Sequence, residues 1–253
     1  IPFIAHTDYK LPNSIVVSRC GGKWHVSFSY EDGLPEPDEA EIIAHYAGMC
    51  AEQLESVSAG FDRGVVKPFA DSAERSFDFS PAQKQHLQQL EQRRKRYERR
   101  LARCRKGSNR HHKAAGRVAR QHARATNIRR DFAHQTSHAL VNSSIEVFIA
   151  EDLRIRSMVK KAAPQPVIDP VTGAIVTAKN GAIKYRKNQR KAKSGLARSI
   201  LASCWGQTWT YVQYKARRKA KLPIKVPPFN SSVECAECGH THPDNRPDQA
   251  TFR

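Results

Sequence analysis

The apolar positions of the chain first alternate and then change period. Over residues 14–31, "SIVVSRCGGKWHVSFSYE", apolar and polar residues alternate on either side of Gly21-Gly22. That pattern predicts a β-hairpin closed by a two-residue turn. The acidic, Pro-rich "DGLPEPDEAE" after it reads as a loop, with a boundary expected between about residues 32 and 54. Residues 55–80, "ESVSAGFDRGVVKPFADSAERSFDFS", predict two or three short strands in succession. Ser80-Pro81 then supplies an N-cap and a first helical residue. Down that helix Leu87, Leu90, Arg94, Tyr97, Leu101 and Cys104 form a heptad seam with one basic interruption. "KGSN" marks a turn, and a second helix is expected to about Asn142, with Val118, Ala125, Phe132 and Ala139 every seventh residue and Ile128 beside them. The two make an antiparallel helical hairpin, apolar inside and basic outside.

"SIEVFIAEDL", residues 144–153, is a continuous apolar run ending in two carboxylates, as a buried central strand would be. Residues 160–194 carry Pro, Gly, Lys and Asn without periodicity and read as a mobile loop. "GLARSILASCWGQTWTYVQYKARRKAK", residues 195–221, reads as one helix whose basic C-terminal end suits the helix dipole. "LPIKVPPFNSS" follows as a strand leading into Cys235-Ala236-Glu237-Cys238. Strands, a helical insertion, a strand, a helix and another strand define a mixed α/β fold.

Charge changes this picture most. The 253 residues carry a formal net charge of +19. Residues 81–142 hold 17 Lys and Arg against Glu91, Glu98 and Asp131, and residues 183–225 hold 13 with no acid at all. The remainder is net acidic, at −8. Two long blocks of one sign suggest a polyanion partner, because each cation that meets a phosphate releases a condensed counterion. A solvated helix face is the alternative explanation of a charge run. Nucleic acid is the favoured partner, with Arg93, Arg94, Arg96, Arg100, Arg117, Arg120, Arg124, Lys187, Arg190 and Lys191 as candidate contacts.

No apolar run approaches the roughly 20 residues of a membrane span. The first residues lack the blocks of a secretory signal and lack a starting Met, which suggests a chain that begins inside a longer protein. Six cysteines, of which Cys20, Cys50, Cys104 and Cys204 stand alone, make no disulfide framework and fit a reducing cytoplasm. The four isolated ones read as buried small hydrophobes.

Two acids stand out by position. Asp62 sits in "AGFDRG" between Gly60 and Gly64, and Glu151 closes "VFIAE". A buried ionised carboxylate is costly unless it is paired or binds a metal. Metal-dependent nucleases hold two Mg²⁺ ions about 4 Å apart with such groups, and hard oxygen ligands suit Mg²⁺. The alternative is that each caps a helix or faces solvent. Asp152 is expected on the opposite face of its strand. Asp71 and Asp78 are expected as turn residues. Cys235 and Cys238 are followed by Gly239, His240 and a polar loop rather than a helix, which favours a zinc knuckle over a redox pair. His240 and His242 are alternative ligands, although Cys238 and His240 stand close for an unstrained ribbon. Trp24, Trp205 and Trp209 could stack on bases, but the spacing of the last two on a helix favours core positions.

"AGFDRG", "FIAEDLRIRSMVKK", "KSGLARSILASCWGQTWTYVQYKA" and "PPFNSSVECAECGHTHPDNRPDQATF", in that order, resemble the transposon-encoded TnpB nucleases, relatives of the type V CRISPR effectors. The resemblance covers roughly residues 55–253. It implies an RNase H-like (RuvC) mixed sheet carrying a helical-hairpin insertion over residues 81–142, within a nuclease domain spanning residues 51–230. It further implies the end of an RNA-binding wedge β domain over residues 1–50 and the first half of a zinc ribbon over residues 231–253. By motif position Asp62 matches the first catalytic Asp and Glu151 the catalytic Glu, with Mg²⁺ as catalytic ion. Cys235 and Cys238 match the first knuckle of a structural Zn²⁺ site. A guide RNA and target double-stranded DNA are the implied partners, and the prokaryotic cytoplasm, at the nucleoid, is the implied location. In the family a second Cys-x-x-Cys and a third catalytic Asp follow "DNRPDQATF". The 253 residues stop short of both, leaving open whether they lie beyond Arg253 or have been lost.

One departure bears on chemistry. The first motif usually reads Gly-Ile-Asp-Leu-Gly, and here Phe61 replaces Ile and Arg63 replaces Leu. Arg63 either faces outward or sets a cation beside the metal site. Two functions follow: an RNA-guided DNA endonuclease, or a non-cleaving RNA-guided DNA-binding protein such as a repressor. A DNA-strand transferase would use the same metal chemistry, but the zinc-ribbon motif argues against it.

Overall fold

The computed structural model describes residues 4, 8, 11–73, 75–235 and 237–247. Residues 248–253 of the expected ribbon therefore lie outside the described residues. β1 (Ser14–Cys20) and β2 (Lys23–Ser29) form the expected hairpin. Gly21 and Gly22 both take positive φ, at 59° and 86°, as the tight turn requires. A Cβ at Gly21 would stand 2.9 Å from the Cβ of Ala123, so the same glycine lets the turn seat on the long second hairpin helix.

The expected loop holds over residues 32–38, and two helices follow within the stretch where the boundary was expected. α1 (Glu39–Ala47) is N-capped by Asp38, whose carboxylate accepts the Ala40 N–H, and α2 (Ala51–Val57) follows after Gly48 and Met49. Ile42 and Tyr46 are the reason: they are buried against Val147, with Met49, Leu54, Val57, Ile149, Leu222 and Ile224 packed around them. Pro35 and Pro37 mark only the lead-in, and tertiary packing decides the rest. The packed body thus begins near Asp38.

The sheet has the order β5-β4-β3-β6-β7, from β3 (Ser58–Asp62), β4 (Phe69–Asp71), β5 (Ser76–Phe77), β6 (Val147–Glu151) and β7 (Leu222–Val226). β3, β6 and β7 are parallel, while β4 and β5 add an antiparallel edge. β7 is the other edge, the position that tolerates Pro223. Side chains alternate across the strands. Ala59, Phe61, Phe148 and Ala150 face a core shared with Leu140, Val141, Trp209, Val212 and Ala216, and Val147 and Ile149 face α1 and α2.

The helical insertion forms as read. α3 (Pro81–Ala102) starts in a reciprocal cap: Ser80 Oγ accepts the Gln83 N–H at 3.2 Å, and Gln83 Oε1 accepts the Ser80 N–H at 2.9 Å. α4 (Asn109–Val141) starts on Ser108, whose hydroxyl accepts the His111 N–H at 3.2 Å. Phe79 stacks on Phe132 at 4.1 Å between ring centroids and closes the base of the hairpin. The sevenfold repeat fails at its end. Ala139 is exposed, while Ala133, Thr136, Ser137 and Leu140 are buried, because the last turns of α4 leave α3 and pack on the sheet.

After β6 the helices differ from those expected. α5 (Ile155–Met158) is a single turn after β6. Residues 160–189 form a folded excursion bridged at Pro166–Tyr185, Ile168–Ile175 and Thr177–Ile183. The helix read over residues 195–221 is two, α6 (Arg190–Ala202) and α7 (Trp205–Arg217). They break at Cys204, which takes φ 63° while its side chain enters the cluster of Phe79 and Phe132. A non-Gly residue in that region costs roughly 1–2 kcal/mol, so burial has overridden helical continuity. Of the isolated cysteines only Cys204 is buried; Cys20 and Cys50 are exposed and Cys104 is intermediate. Trp205 and Trp209 are core residues, as their spacing suggested, and Trp24 is exposed beneath the Arg19 guanidinium.

α7 is bound to α4 by more than apolar contact. Lys215 Nζ donates to the His134 carbonyl at 3.0 Å and to Ser137 Oγ at 2.8 Å, and Tyr211 stacks on His134 at 4.1 Å. Among the described residues no helix is long and apolar enough to cross a membrane. Phe148 is fully buried at the centre of the sheet core. Phe148→Ala should cost about 3–5 kcal/mol in denaturant unfolding of the full-length protein, whereas truncating half-exposed Ile43 should change stability by less than about 0.5 kcal/mol.

Candidate active site and nucleic-acid interface

Asp62 is the last residue of β3 and Glu151 the last of β6, and these strands pair in parallel with Phe61 opposite Ala150. One more step of that register puts Asp62 beside Glu151. Both fall on the strand face opposite the Phe61 and Phe148 core, at the C-terminal edge of the sheet. Ligands of open α/β sheets bind at that edge. Asp62 is exposed, and Glu151 is half-buried. Ser231, just after β7, donates from its hydroxyl to Glu151 Oε1 at 2.6 Å and fixes one carboxylate oxygen. The sequence reading missed Ser231, because its proximity depends on where β7 ends.

The other acids have partners of their own. Asp152 pairs with Lys225 at 3.0 Å, away from the pair. Asp71 is the buried last residue of β4 rather than a turn residue itself, and it organises the turn that follows by accepting the backbone N–H groups of Ala73 and Arg75 and pairing with the Arg75 Nε at 2.7 Å. Asp78 accepts the Phe79 N–H and pairs with Lys84.

Arg63 does not face outward. It is 6% exposed, and its guanidinium donates to the backbone carbonyl of Glu151. Burial pulls its pKa below the ordinary arginine value, against the opposing fields of Glu151, Asp152 and Asp62. Gly64 permits the tight bend behind it: its N–H meets the Lys67 carbonyl at 3.1 Å, and a Cβ there would stand 2.7 Å from that oxygen. Trp205 Nε1 donates to the Gly64 carbonyl at 2.9 Å and closes the bend from α7.

The donor set at this edge suits a hard cation in type, with two carboxylates on one face and one of them oriented by a hydroxyl. It is incomplete in number: among the described residues no group of three or more His, Cys, Asp and Glu is placed to hold a metal. Cys235 and Cys238 lie on a second, separate feature. Cys235 N–H donates to the His240 carbonyl and Gly239 N–H to the Cys235 carbonyl, both at 2.9 Å, with Gly239 at φ 70°. Amide hydrogens of Cys238 and Glu237 lower the Cys235 thiol pKa, favouring the thiolate that ligates zinc. Asn245 Nδ2 braces the turn by donating to the carbonyls of Val233 and His240.

The basic residues divide. Arg93, Arg96, Arg100, Arg117, Arg120 and Arg124 lie exposed on the hairpin, with Arg117 over the Tyr97 ring. Arg94 is half-buried and forks between Glu91 and Glu98, so its charge is already compensated. Lys187, just before α6, and Arg190 and Lys191, at its start, are all exposed, and Arg190 also lines a cleft of about 900 Å³ between the hairpin and α6. That cleft is also lined by Lys95, His122, Arg129, Lys160, Lys161, Lys193 and Arg198, which were not singled out from the sequence. Their charge was visible in the two basic blocks, but their convergence was not. Arg190, Lys191 and Lys193 crowd the positive end of the α6 dipole, and its N-cap Gln189 makes no side-chain cap. Cations are unfavourable there in isolation, which suits a surface completed by an anion.

The chain is thus a mixed α/β protein with paired strand-end carboxylates and a basic cleft. It matches the OrfB_IS605 family, described as "Probable transposase", over residues 50–162, which include Asp62 and Glu151. It matches the "Cas12f1-like, TNB domain" over residues 205–253, which include Cys235 and Cys238. It is 30% identical over 240 residues to "Putative RNA-guided DNA endonuclease InsQ" of Escherichia coli (strain K12), covering 95% of this chain and 51% of that protein. It is 27% identical over 231 residues to "Putative RNA-guided DNA endonuclease" of Streptomyces pristinaespiralis, covering 90% of this chain and 44% of that protein. The chain belongs to the TnpB family. It spans about half the length of the curated relatives it matches.

The two thiol environments differ enough to be told apart by alkylation. The Cys235 pKa is lowered, so its thiolate appears at lower pH than in an ordinary thiol; burial pushes Cys204 up to about 11. Mass-spectrometric mapping of iodoacetamide adducts across the neutral and alkaline range should find Cys235 modified first and Cys204 unmodified. Added Zn²⁺ should suppress the Cys235 and Cys238 adducts alone.

Proposed function

We propose that this chain is the catalytic portion of an RNA-guided DNA endonuclease, encoded by a transposon, with an RNase H-like (RuvC) nuclease domain and a zinc ribbon. The observation that carries the reading is the placement of Asp62 and Glu151 side by side at adjacent C-terminal strand ends, on one face. Mg²⁺ would be held by these carboxylates with a ligand beyond them, and Zn²⁺ by Cys235 and Cys238 with a second pair. Two bound Mg²⁺ ions in such a site supply activation of water and neutralisation of the leaving oxygen.

The chain's own residues have separable tasks. Asp62 presents its carboxylate to solvent, where a phosphodiester can approach. Glu151 is kept in one orientation by Ser231. The basic cleft between the hairpin and α6 holds nucleic-acid backbone, with sequence left to pairing between a guide RNA and the target strand of double-stranded DNA. In domain terms, residues 1–50 end a wedge, residues 51–230 are the nuclease domain with its insertion, and residues 231–253 begin the ribbon. The packing of α1 on the sheet attaches residues 39–47 to the nuclease body. A prokaryotic cytoplasmic location at the nucleoid follows from that role.

A second reading, a guided DNA-binding protein that does not cleave, is favoured by one observation: a buried cation, Arg63, set against the backbone of Glu151. Plasmid cleavage by the full-length protein copurified with its RNA, in Mg²⁺, separates the two. Wild type should cut, and Asp62→Ala and Glu151→Gln should bind target without cutting. Binding without cleavage by wild type would leave the guided binder. Ser231→Ala should slow cleavage by about 10–100-fold with target affinity unchanged.

The cleft carries its own test. Neutralising Lys160, Lys193 or Arg198 to Gln should weaken nucleic-acid binding regardless of sequence. The slope of log affinity against log salt should fall by about 0.9 for each phosphate of duplex DNA that is no longer neutralised. An unchanged slope for all three would remove the cleft from the binding surface.

A further inference from the structure

Arg63 enters the site from behind. Phe61 faces the core and Asp62 the opposite, exposed side, and Arg63, the first residue past the end of β3, is buried again at 6% exposed. From there the guanidinium reaches under the ends of β3 and β6 to the Glu151 carbonyl, while the Glu151 carboxylate is held in front by Ser231. Glu151, Asp152 and Asp62 all contribute to the field at Arg63, and among the described residues it forms no direct ion pair with any of them. The charge is therefore poised near the carboxylates without occupying their oxygens.

That arrangement has two electrostatic consequences. Two carboxylates brought side by side repel, and a fixed cation behind them offsets that repulsion while no metal is bound. The same cation repels any metal arriving in front, and it cannot lose its proton to escape the conflict. An approaching phosphodiester brings negative charge to the front of the site and restores the balance. Because binding free energies are reciprocal, a phosphate that tightens the metal is itself tightened by it.

We propose that Arg63 is a positioning residue, a resident cation that holds divalent-metal affinity at Asp62 and Glu151 low until nucleic-acid backbone arrives, so that metal and target strand bind together. This rests on the reading of Asp62 and Glu151 as metal ligands. Its chemistry is charge alone, so a lysine reaching the same place serves and a neutral side chain does not.

Tb³⁺, a hard oxygen-seeking cation, is a suitable probe, because Trp205 is hydrogen-bonded to the loop that follows Asp62 and can sensitise its emission. Tb³⁺ is titrated into the full-length protein with its RNA, with tryptophan excited, for wild type, Asp62→Ala, Arg63→Lys, Arg63→Gln and Arg63→Met. Thermal melting confirms folding, and two neutral variants are used so that one misfolded protein does not decide the result. Arg63→Gln and Arg63→Met should bind Tb³⁺ about tenfold tighter than wild type, and Arg63→Lys should stay within about twofold. Target-strand DNA should tighten Tb³⁺ binding more in wild type than in the neutral variants. Equal affinities in wild type and neutral variants, with the signal lost in Asp62→Ala, would overturn the role of Arg63 and leave the metal site standing. Equal tightening in Arg63→Lys would also overturn it, since geometry rather than charge would then matter. A signal that survives Asp62→Ala would overturn the metal-site reading itself, and this proposal with it.

Discussion

Phe61 and Phe148 stack at 5.9 Å on the core face of the sheet, and the site depends on that contact. It sits in the parallel pairing of β3 with β6, where Phe61 is opposite Ala150 and Ala59 opposite Phe148. A slip of one residue in either strand would turn its aromatic ring to the α1 and α2 face and its terminal carboxylate into the apolar core. Burial of the two rings, each of which removes a large apolar area from water, holds the register against that alternative. The carboxylates are thus brought together by residues that do no chemistry.

A similar division of labour governs the basic surface. The α3–α4 hairpin needs only one apolar stripe, centred on Leu90 and Phe132, to stay folded. The rest of its surface is free to carry positive charge, which would be self-repelling in a compact core. α6 goes further, with Arg190, Lys191 and Lys193 at the helix end where its own dipole disfavours them. Local stability is conceded there for a concentration of positive charge beside the cleft. Arg63 follows the reverse logic: it is the cation drawn inside, next to acids, where its charge acts on the site rather than on solvent.

Much of this was legible in the chain because short-range rules were obeyed. The Gly21-Gly22 hairpin, the Ser80-Pro81 start, the two insertion helices, the three strands after Val57 and the apolar strand before Glu151 are all local patterns with local causes. Asp62 and Glu151 were visible as acids ending apolar runs, and Trp205 and Trp209 as core residues by their spacing. What was illegible had non-local causes. α1 and α2 exist because Ile42 and Tyr46 find Val147 about a hundred residues on. Cys204 breaks a periodic helix because Phe79 and Phe132 offer it a pocket. Ala139 leaves the seam because α4 changes partners, from α3 to the sheet.

By itself the sequence determined the fold class, the sign and location of the charge, the residue types available for hard-cation and thiolate chemistry, and the family. Periodicity, capping and composition act within a few residues, and a short window contains them. Only the tertiary structure decided which acid stands beside which, that Ser231 holds Glu151, that Arg63 points inward, and which cations converge on one cleft. Those outcomes depend on strand order and on where β7 and α6 end, and contacts between residues far apart in the chain are set by the packing of the whole core.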